Sequence, residues 1–436
     1  MASFTRDWAS TLGVSLVGAL SGFASSLLTA HYLGPEGRGL LTVALLLPSI
    51  LVAVANLGLP TATIYYAARA ELPPPAIIGN NILLGLLAAA ASALVGALVL
   101  LLSADSMFKG PQPTHFLLAF AALVPQTLYT FMRPILLGYR EVKGYNAAGV
   151  AQSLLIVTVL AISFLAFSPS VAVSLSAILL AWWLAAVFVL VLLLRRSGTV
   201  DLRLRCSYVR KALGYGLKAH VANILAMLLY RVDLLLLNSL KGPDAVGLYS
   251  LAVAAAESLN MISQAGATLL LPRVAAAASQ QPTDPFVGLL MRTTVLATAL
   301  AALVLSCCAP LVFVLCFPPA FMPALSGFYA ILPGIVAMSG TRVLCNFLAG
   351  YGRPHLNIVV GAAALALNVV LNLLWIPKWG MVGAGFASSV SYFLALAVAG
   401  RFYARITQVS WKETFIPRAA DWVLYRSRLE LLLRFR

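Results

Sequence analysis

Residues 218–238, KAHVANILAMLLYRVDLLLLN, place ionisable and amide side chains in an otherwise apolar stretch. At about 100° per residue in a helix, His220, Asn223, Met227, Arg231 and Asn238 fall on one face, and Lys218 and Asp233 fall together on another. The next apolar stretch repeats the pattern at spacings of three and four, with Glu257, Asn260, Met261, Gln264 and Thr268. A third puts Ser339, Arg342 and Asn346 on one face, and a fourth holds Gln126 and Arg133 between Pro125 and Pro134. Guanidinium and ammonium groups bind anions such as phosphates, and amides hydrogen-bond hydroxyls. No paired carboxylates at hydrolase spacing, no Walker motif and no metal-ligand spacing accompany them. The expected chemistry is therefore recognition: not an enzyme, with no catalytic residue, no cofactor and no metal.

An ionisable side chain deep in a membrane helix costs at least roughly 2.5 kcal/mol unless it faces water or a partner. Two readings of these residues follow. Arg231 or Lys218 pairs with Asp233 or Glu257 and holds two parts of the protein together. Otherwise Arg231, with His220 and the amides, points into a hydrated cavity and binds an anion, and the Glu257 stripe forms a wall that cannot face lipid. Arg133, less than two turns from LLGYREVKG, either joins that cavity or snorkels to the interface. Asp233 and Glu257, carboxylates among cations, are candidates for coupling to H⁺ or Na⁺.

The elements that carry these groups are membrane spans. With 61% hydrophobic and 10% charged residues, the chain lacks the polar surface of a soluble protein. Apolar runs long enough for a hydrocarbon core of roughly 30 Å predict helices at about 10–33, 40–66, 76–103, 115–138, 146–168, 170–194, 213–238, 245–272, 287–317, 323–349, 355–377 and 380–404. The first carries a small-residue face, Ser15, Gly18, Gly22, Ser26 and Thr29, suited either to close packing or to lining a cavity. In the second, Pro60 is expected to kink or loosen the last turns. Helix eleven carries Asn368 and Asn372, and Gly380, Ala384, Ser388 and Ser391 give helix twelve a packing seam.

These helices form a duplicated unit. GPEGRGL at Gly34 returns as GPDAVGL at Gly242, and with the same offset Pro35 falls on Pro243, Gly39 on Gly247 and Gly58 on Gly266. Each copy is a helix, a Gly-Pro-acid turn and a second helix. Six spans per half make the repeats parallel, one of the two repeat geometries of secondary transporters. The fold expected is an all-α integral membrane protein of about twelve helices, in two parallel six-helix lobes around a central cavity. Residues 1–194 form the first lobe, 195–212 a basic linker against anionic headgroups, 213–405 the second lobe and 406–436 a basic amphipathic tail.

Lys and Arg set the orientation. With the N-terminus cytoplasmic, inside segments collect Arg6, Arg69, Arg140, Lys143, Arg195, Arg196, Arg203, Arg205, Arg210, Lys211, Arg273, Arg353 and the tail, whereas outside loops hold only Arg38, Lys109, Lys241 and Lys378. Both termini are expected inside. This asymmetry also accounts for most of the +16 net charge, so no nucleic-acid partner is inferred. No cleavable signal peptide is expected, and Cys206, Cys307, Cys308, Cys316 and Cys345 read as small apolar residues.

Three segments carry a resemblance: YLGPEGRGLLTVALLLPSILVAVANLGLPTATIYYAAR, YRVDLLLLNSLKGPDAVGLYSLAVAAAESLN and FLAGYGRPHLNIVVGAAALALNVVLNLLWIPKWGMVGAGFASSVSYF. They resemble the polysaccharide transporter family, the Wzx-type O-antigen flippases within the multidrug/oligosaccharidyl-lipid/polysaccharide (MOP) exporter superfamily. The resemblance implies alternating access in the cell inner membrane and a polyprenyl-diphosphate-linked oligosaccharide as substrate, with membrane lipids and a glycan polymerase or assembly protein as partners. On that reading Arg231, Lys218, Arg342 and Arg133 meet the diphosphate, and the Asn and Gln side chains meet sugar hydroxyls. A cation-coupled drug exporter would favour acidic cavity groups, and the lipid II flippase branch two further helices; these are the alternatives.

Overall fold

The computed structural model describes residues 2–69, 71–264 and 285–415, and every regular element among them is helical. In chain order these are α1 (Ala2–Ala55), α2 (Leu59–Ala68), α3 (Pro74–Met107), α4 (Pro113–Ala121), α5 (Leu123–Gly138), α6 (Val142–Ala166) and α7 (Val171–Ser197) in one lobe. The other lobe has α8 (Cys206–Leu229), α9 (Val232–Lys241), α10 (Pro243–Glu257), α11 (Pro285–Cys316), α12 (Ala324–Gly350) and α13 (His355–Thr407), followed by α14 (Trp411–Phe415). Nine helical stretches among the described residues are long and apolar enough to cross a membrane. α1 and α13 each contain two spans folded at a glycine, and α10 with the helical residues 260–264 covers the described part of the expected eighth helix. Gly266, Thr268, Arg273 and most of the expected tail lie outside the described residues.

The two copies of the repeat turn in the same way. Gly34 (φ 67°, ψ −176°) and Gly242 (φ 83°, ψ 179°) adopt a backbone conformation that a side chain would strain. Pro35 and Pro243 then open the next helix, where a missing N–H leaves no bond unmade. The chain reverses with no intervening loop.

Four predicted helices are interrupted, the eighth of them at Ser258–Leu259 just after α10. The second breaks at Asn56–Gly58, where Leu57 (φ 48°) and Gly58 (φ 73°) are left-handed and Asn56 Oδ1 accepts the Gly58 N–H at 2.9 Å. The break precedes Pro60 because a proline ring excludes the helical position of the carbonyl four residues earlier, here Asn56. The fourth breaks at Ala122, with Pro125 acting on Ala121 in the same way. The seventh breaks at Tyr230–Arg231, where Arg231 (φ −128°) caps α9. Asp233 Oδ1 accepts the Leu234 N–H at 2.8 Å, a donor that a continuous helix would direct to Tyr230. Asn238 therefore leaves the face it was expected to share with Arg231.

The lobes meet at both ends of the bundle. At the end bearing the Gly34 and Gly242 turns, the second half of α1 crosses α10 so closely that a Cβ on Gly39 would fall 1.7 Å from the Pro243 carbonyl oxygen, and one on Gly247 would fall 1.9 Å from that of Pro35. Asn238 Nδ2 donates to the Met107 and Lys109 carbonyls at 3.0 and 3.2 Å, and Lys109 Nζ donates to Ser239 O at 3.1 Å. At the opposite end α2 lies on α8: Gly58 approaches Gly216, Tyr65 stacks on Tyr215 at 4.8 Å, and Tyr66 OH donates to Lys211 O at 3.3 Å.

Between the lobes, residues 199–205 run without helix along α3. Asn80 Nδ2 donates to Arg203 O at 3.2 Å, its Oδ1 accepts the Arg205 N–H at 2.8 Å, and a Cβ on Gly79 would stand 1.8 Å from Asp201 O. Asp201 pairs with Arg205 at 3.0 Å and Glu71 with Lys211 at 3.1 Å. The basic connector is pinned to the protein rather than lying free in solvent.

Candidate functional site: a cavity between the lobes

A cavity of about 530 Å³ opens where the first half of α1 faces α10, α11 and α12. Ser15, Gly22 and Ser26 line it from α1, while Glu257, Ser258, Met261 and Gln264 line it from the other lobe. The small-residue face thus lines the cavity in part: Gly18 packs instead toward Ser153, and Thr29 is used elsewhere. Phe23 and Phe317 meet edge to face across the lobes at 5.9 Å. Asn260 Oδ1 is buried, with no hydrogen-bond partner among the described residues.

Among the described lining residues the ionisable one is Glu257, and Arg231 stands beside it. Arg231 Nη2 lies 3.7 Å from Glu257 Oε2, with both side chains partly exposed, 36% and 24%. These two side chains stand as a pair, but both belong to the second lobe, so the pair does not bridge the halves. Its length and exposure make it a loose ion pair, of the kind that is worth about 0–1 kcal/mol in exposed settings.

The remaining predicted residues separate into other environments. His220 is buried, with Nε2 2.9 Å from the Val54 carbonyl; it fastens the lobes at the α2–α8 end and does not face the cavity. Asn223, Arg342 and Asn346 line a second cavity of about 330 Å³ inside the second lobe, between α8, α12 and α13. There Arg342 Nη2 donates to Tyr230 OH at 3.1 Å, and Tyr230 packs on Tyr392 at 5.8 Å. Arg133 lies in the first lobe, its guanidinium 3.9 Å above the Tyr145 ring and its Nε donating to Tyr145 O at 3.2 Å. Lys218 lies on α8, and its side chain is outside the described residues. Arg292, on α11, is buried and donates to the Glu413 carbonyl.

Asp233 is enclosed rather than exposed to either cavity. Its Oδ2 accepts from Tyr249 OH at 2.7 Å and Ser388 Oγ at 3.2 Å. Ser388 also receives Asn368 Nδ2 at 3.3 Å, and Asn372 Nδ2 donates to Asn368 Oδ1 at 2.9 Å, leaving Asn372 Oδ1 buried and without a partner among the described residues. Sequence reading saw Asp233, Asn368, Asn372 and Ser388 singly and did not join them. Their positions on three different helical segments explain why, although the burial cost of two asparagines one turn apart was a usable signal.

Arg38 was expected in an outside loop and is instead buried between the lobes. It sits only four residues past the Gly34 fold, so the tight reversal carries it into the α1–α10 contact.

A model of the family described as polysaccharide biosynthesis protein matches residues 4–278, more than half of the chain. The chain belongs to that family. Three solved structures resemble this family member in fold. An inward-facing multidrug resistance MATE family transporter of the MOP superfamily gives a TM-score of 0.68 at 15% identity, covering 92% of this chain and 99% of that one. Lipid II flippase MurJ in an inward closed conformation gives 0.68 at 10% identity, over 93% and 90%. A MOP superfamily transporter from Pyrococcus furiosus, described as having a binding pocket of reversed polarity, gives 0.66 at 15% identity, over 93% and 97%. In sequence, the chain is 27% identical over 78 residues to the uncharacterized membrane protein MJ1068 of Methanocaldococcus jannaschii, a stretch that spans 18% of this chain and 15% of that relative. This member of the polysaccharide biosynthesis protein family thus has the two-lobed fold of those solved MOP superfamily proteins and, among its described residues, several helices long and apolar enough to cross a membrane.

Proposed function

We propose that the chain flips an undecaprenyl-diphosphate-linked oligosaccharide across the cell inner membrane, from the cytoplasmic to the outer face, by alternating access, with both termini cytoplasmic. The observation that carries this reading is the Arg231–Glu257 pair at 3.7 Å, whose Glu257 lines the cavity between the lobes and sets the Arg231 guanidinium beside that wall. A diphosphate is a stronger partner for a guanidinium than a carboxylate held at that distance, so the head group displaces Glu257 and takes Arg231. Asn260 and Gln264 on the same stripe offer amides to the first sugars, and the polyprenyl tail stays in lipid.

The enclosed Asp233 is the coupling centre in this reading. A proton or Na⁺ bound there neutralises a carboxylate that otherwise rests on neutral donors, Tyr249 and Ser388, drawn from α10 and α13. Asn368 and Asn372 extend this set of polar groups behind Ser388. Occupancy then decides how α9, α10 and α13 pack.

Binding of farnesyl diphosphate to the purified protein, compared with farnesol, tests the reading. Glu257→Gln removes the competitor for Arg231 and is expected to tighten farnesyl diphosphate several-fold while leaving farnesol unchanged. A cation exporter predicts the reverse for organic cations, which would lose their carboxylate. Equal binding of the diphosphate and the alcohol by the unmodified protein would refute the assignment.

A further inference from the structure

Arg38 is 7% exposed and lies in the contact between the lobes. Its Nη1 donates to Ser26 O at 3.0 Å and Thr29 Oγ1 at 2.8 Å, its Nη2 to Ser26 Oγ at 3.3 Å, and its Nε to Ser250 Oγ of the opposite lobe at 3.0 Å. A guanidinium has five N–H donors, so one is left over. Every partner is a neutral oxygen, and among the described residues no carboxylate comes within 4.0 Å of the group. Burying a cation without a counter-ion is costly.

Packing does not demand that charge. In the second copy of the repeat the matching position is Val246, which is fully buried in the same kind of contact. A valine serves there, so the arginine answers a requirement that only the first copy has. Its place suggests which one. Ser26, to which Arg38 binds twice, lines the cavity between the lobes, and Ser250 is followed directly by Leu251, another lining residue. Arg38 therefore stands immediately behind the end wall of the cavity nearest the Gly34 and Gly242 turns.

We propose that Arg38 is a second anion site of the transport path, hidden while the lobes are closed at this end and uncovered when they part. Separation carries Ser250 away with its lobe and frees Nε, which joins the unused N–H to present two donors to a phosphate at the far end of the cavity. Ser26 and Thr29, on the same lobe, stay with the guanidinium and keep it oriented. The anion passes from Arg231 to Arg38 as the lobes rock, and reclosure returns Ser250 and expels it. This deepens the flippase reading and rests on it.

Farnesyl diphosphate and farnesol binding, measured on the full-length protein in detergent for variants at Arg38, Ser250 and Arg231, tests the proposal. Ser250→Ala removes the competing hydroxyl and is expected to strengthen farnesyl diphosphate binding by roughly tenfold, the scale of one hydrogen bond to a charged group. Arg38→Gln is expected to abolish that gain in the Ser250→Ala background and leave farnesol unchanged. Arg38→Lys, which keeps the charge, should restore part of the diphosphate preference, a recovery that a merely structural role would not give. If Arg38→Gln does not fold, the Lys variant with and without Ser250→Ala decides alone: no gain from Ser250→Ala in either background overturns the proposal. Diphosphate binding that falls in Arg231→Ala but is indifferent to every change at Arg38 and Ser250 refutes this site and leaves the flippase reading intact. No preference for the diphosphate in any variant, the unmodified protein included, sinks both.

Discussion

Gly39 and Gly247, equivalent positions of the two repeat copies, pack reciprocally across the lobe boundary, each with its Cα facing the backbone that opens the other's helix. A Cβ on Gly39 would also lie 3.1 Å from the Gly247 nitrogen, and one on Gly247 3.0 Å from that of Gly39. This contact closes one end of the bundle, and its near symmetry follows from the duplication. Backbone cannot swing aside as a side-chain tip can, so each position admits hydrogen alone.

Gly39→Ala should consequently open this end. In an unconstrained helix the change would stabilise by about 0.5–1 kcal/mol, whereas here it forces an overlap of the kind that costs about 1–3 kcal/mol. The expected result is a protein that inserts normally but shows increased labelling of a cysteine placed at Ser250. Unchanged labelling would mean the contact does not govern the closed state.

Asp233→Asn should keep the fold at a cost of about 1 kcal/mol and remove ion dependence. The amide relieves the burial of a carboxylate and Tyr249 OH and Ser388 Oγ can still donate to its oxygen, but its NH2 then faces the Leu234 N–H, which loses the acceptor that Asp233 Oδ1 provides. Tyr249→Phe instead withdraws a donor from a buried group, a loss of about 1–3 kcal/mol, and should lower the melting temperature. Transport in vesicles under imposed H⁺ and Na⁺ gradients distinguishes them. An Asp233→Asn protein that still responds to a gradient would exclude this centre from coupling.

Asn80→Ala should loosen the connector between the lobes. Two hydrogen bonds to its backbone, at Arg203 O and Arg205 N, are worth about 1 kcal/mol each, so local opening should rise by roughly one to two orders of magnitude. Limited trypsin digestion at Arg203 and Arg205 reads this directly, and cleavage at the unmodified rate would show that Asn80 does not hold the segment.

His220→Ala, by contrast, should weaken closure at the α2–α8 end without changing affinity for a diphosphate, because the imidazole is bound to the Val54 carbonyl and not to the cavity. A large loss of farnesyl diphosphate binding, with the closed state intact, would return His220 to the site.

Composition and repeat carried the architecture: spans, the Gly34 and Gly242 reversals and the lobes could be read from residue type and spacing. Side-chain placement was less legible, for reasons that are physical. The break at Arg231 has no proline or glycine to announce it; it depends on Asp233 capturing the Leu234 N–H, and it divides a face that 100° periodicity makes continuous. Arg342 and Asn346 do share a face, as their spacing says, but periodicity cannot tell which of two cavities the face meets. Nor could spacing place Arg38 inside, since only the tight turn at Gly34 distinguishes a buried charge from one in a loop.

The central claim is that Arg231 receives an anionic head group in the cavity between the lobes. Its most direct test is the distribution of lipid-linked glycan on the two faces of the membrane in cells whose only copy carries Arg231→Ala, at matched protein levels. Accumulation of the intermediate on the cytoplasmic face, partly relieved by Arg231→Lys, is the predicted result. Normal export by a well-inserted Arg231→Ala protein would contradict the account and leave the Arg231–Glu257 pair as a structural contact.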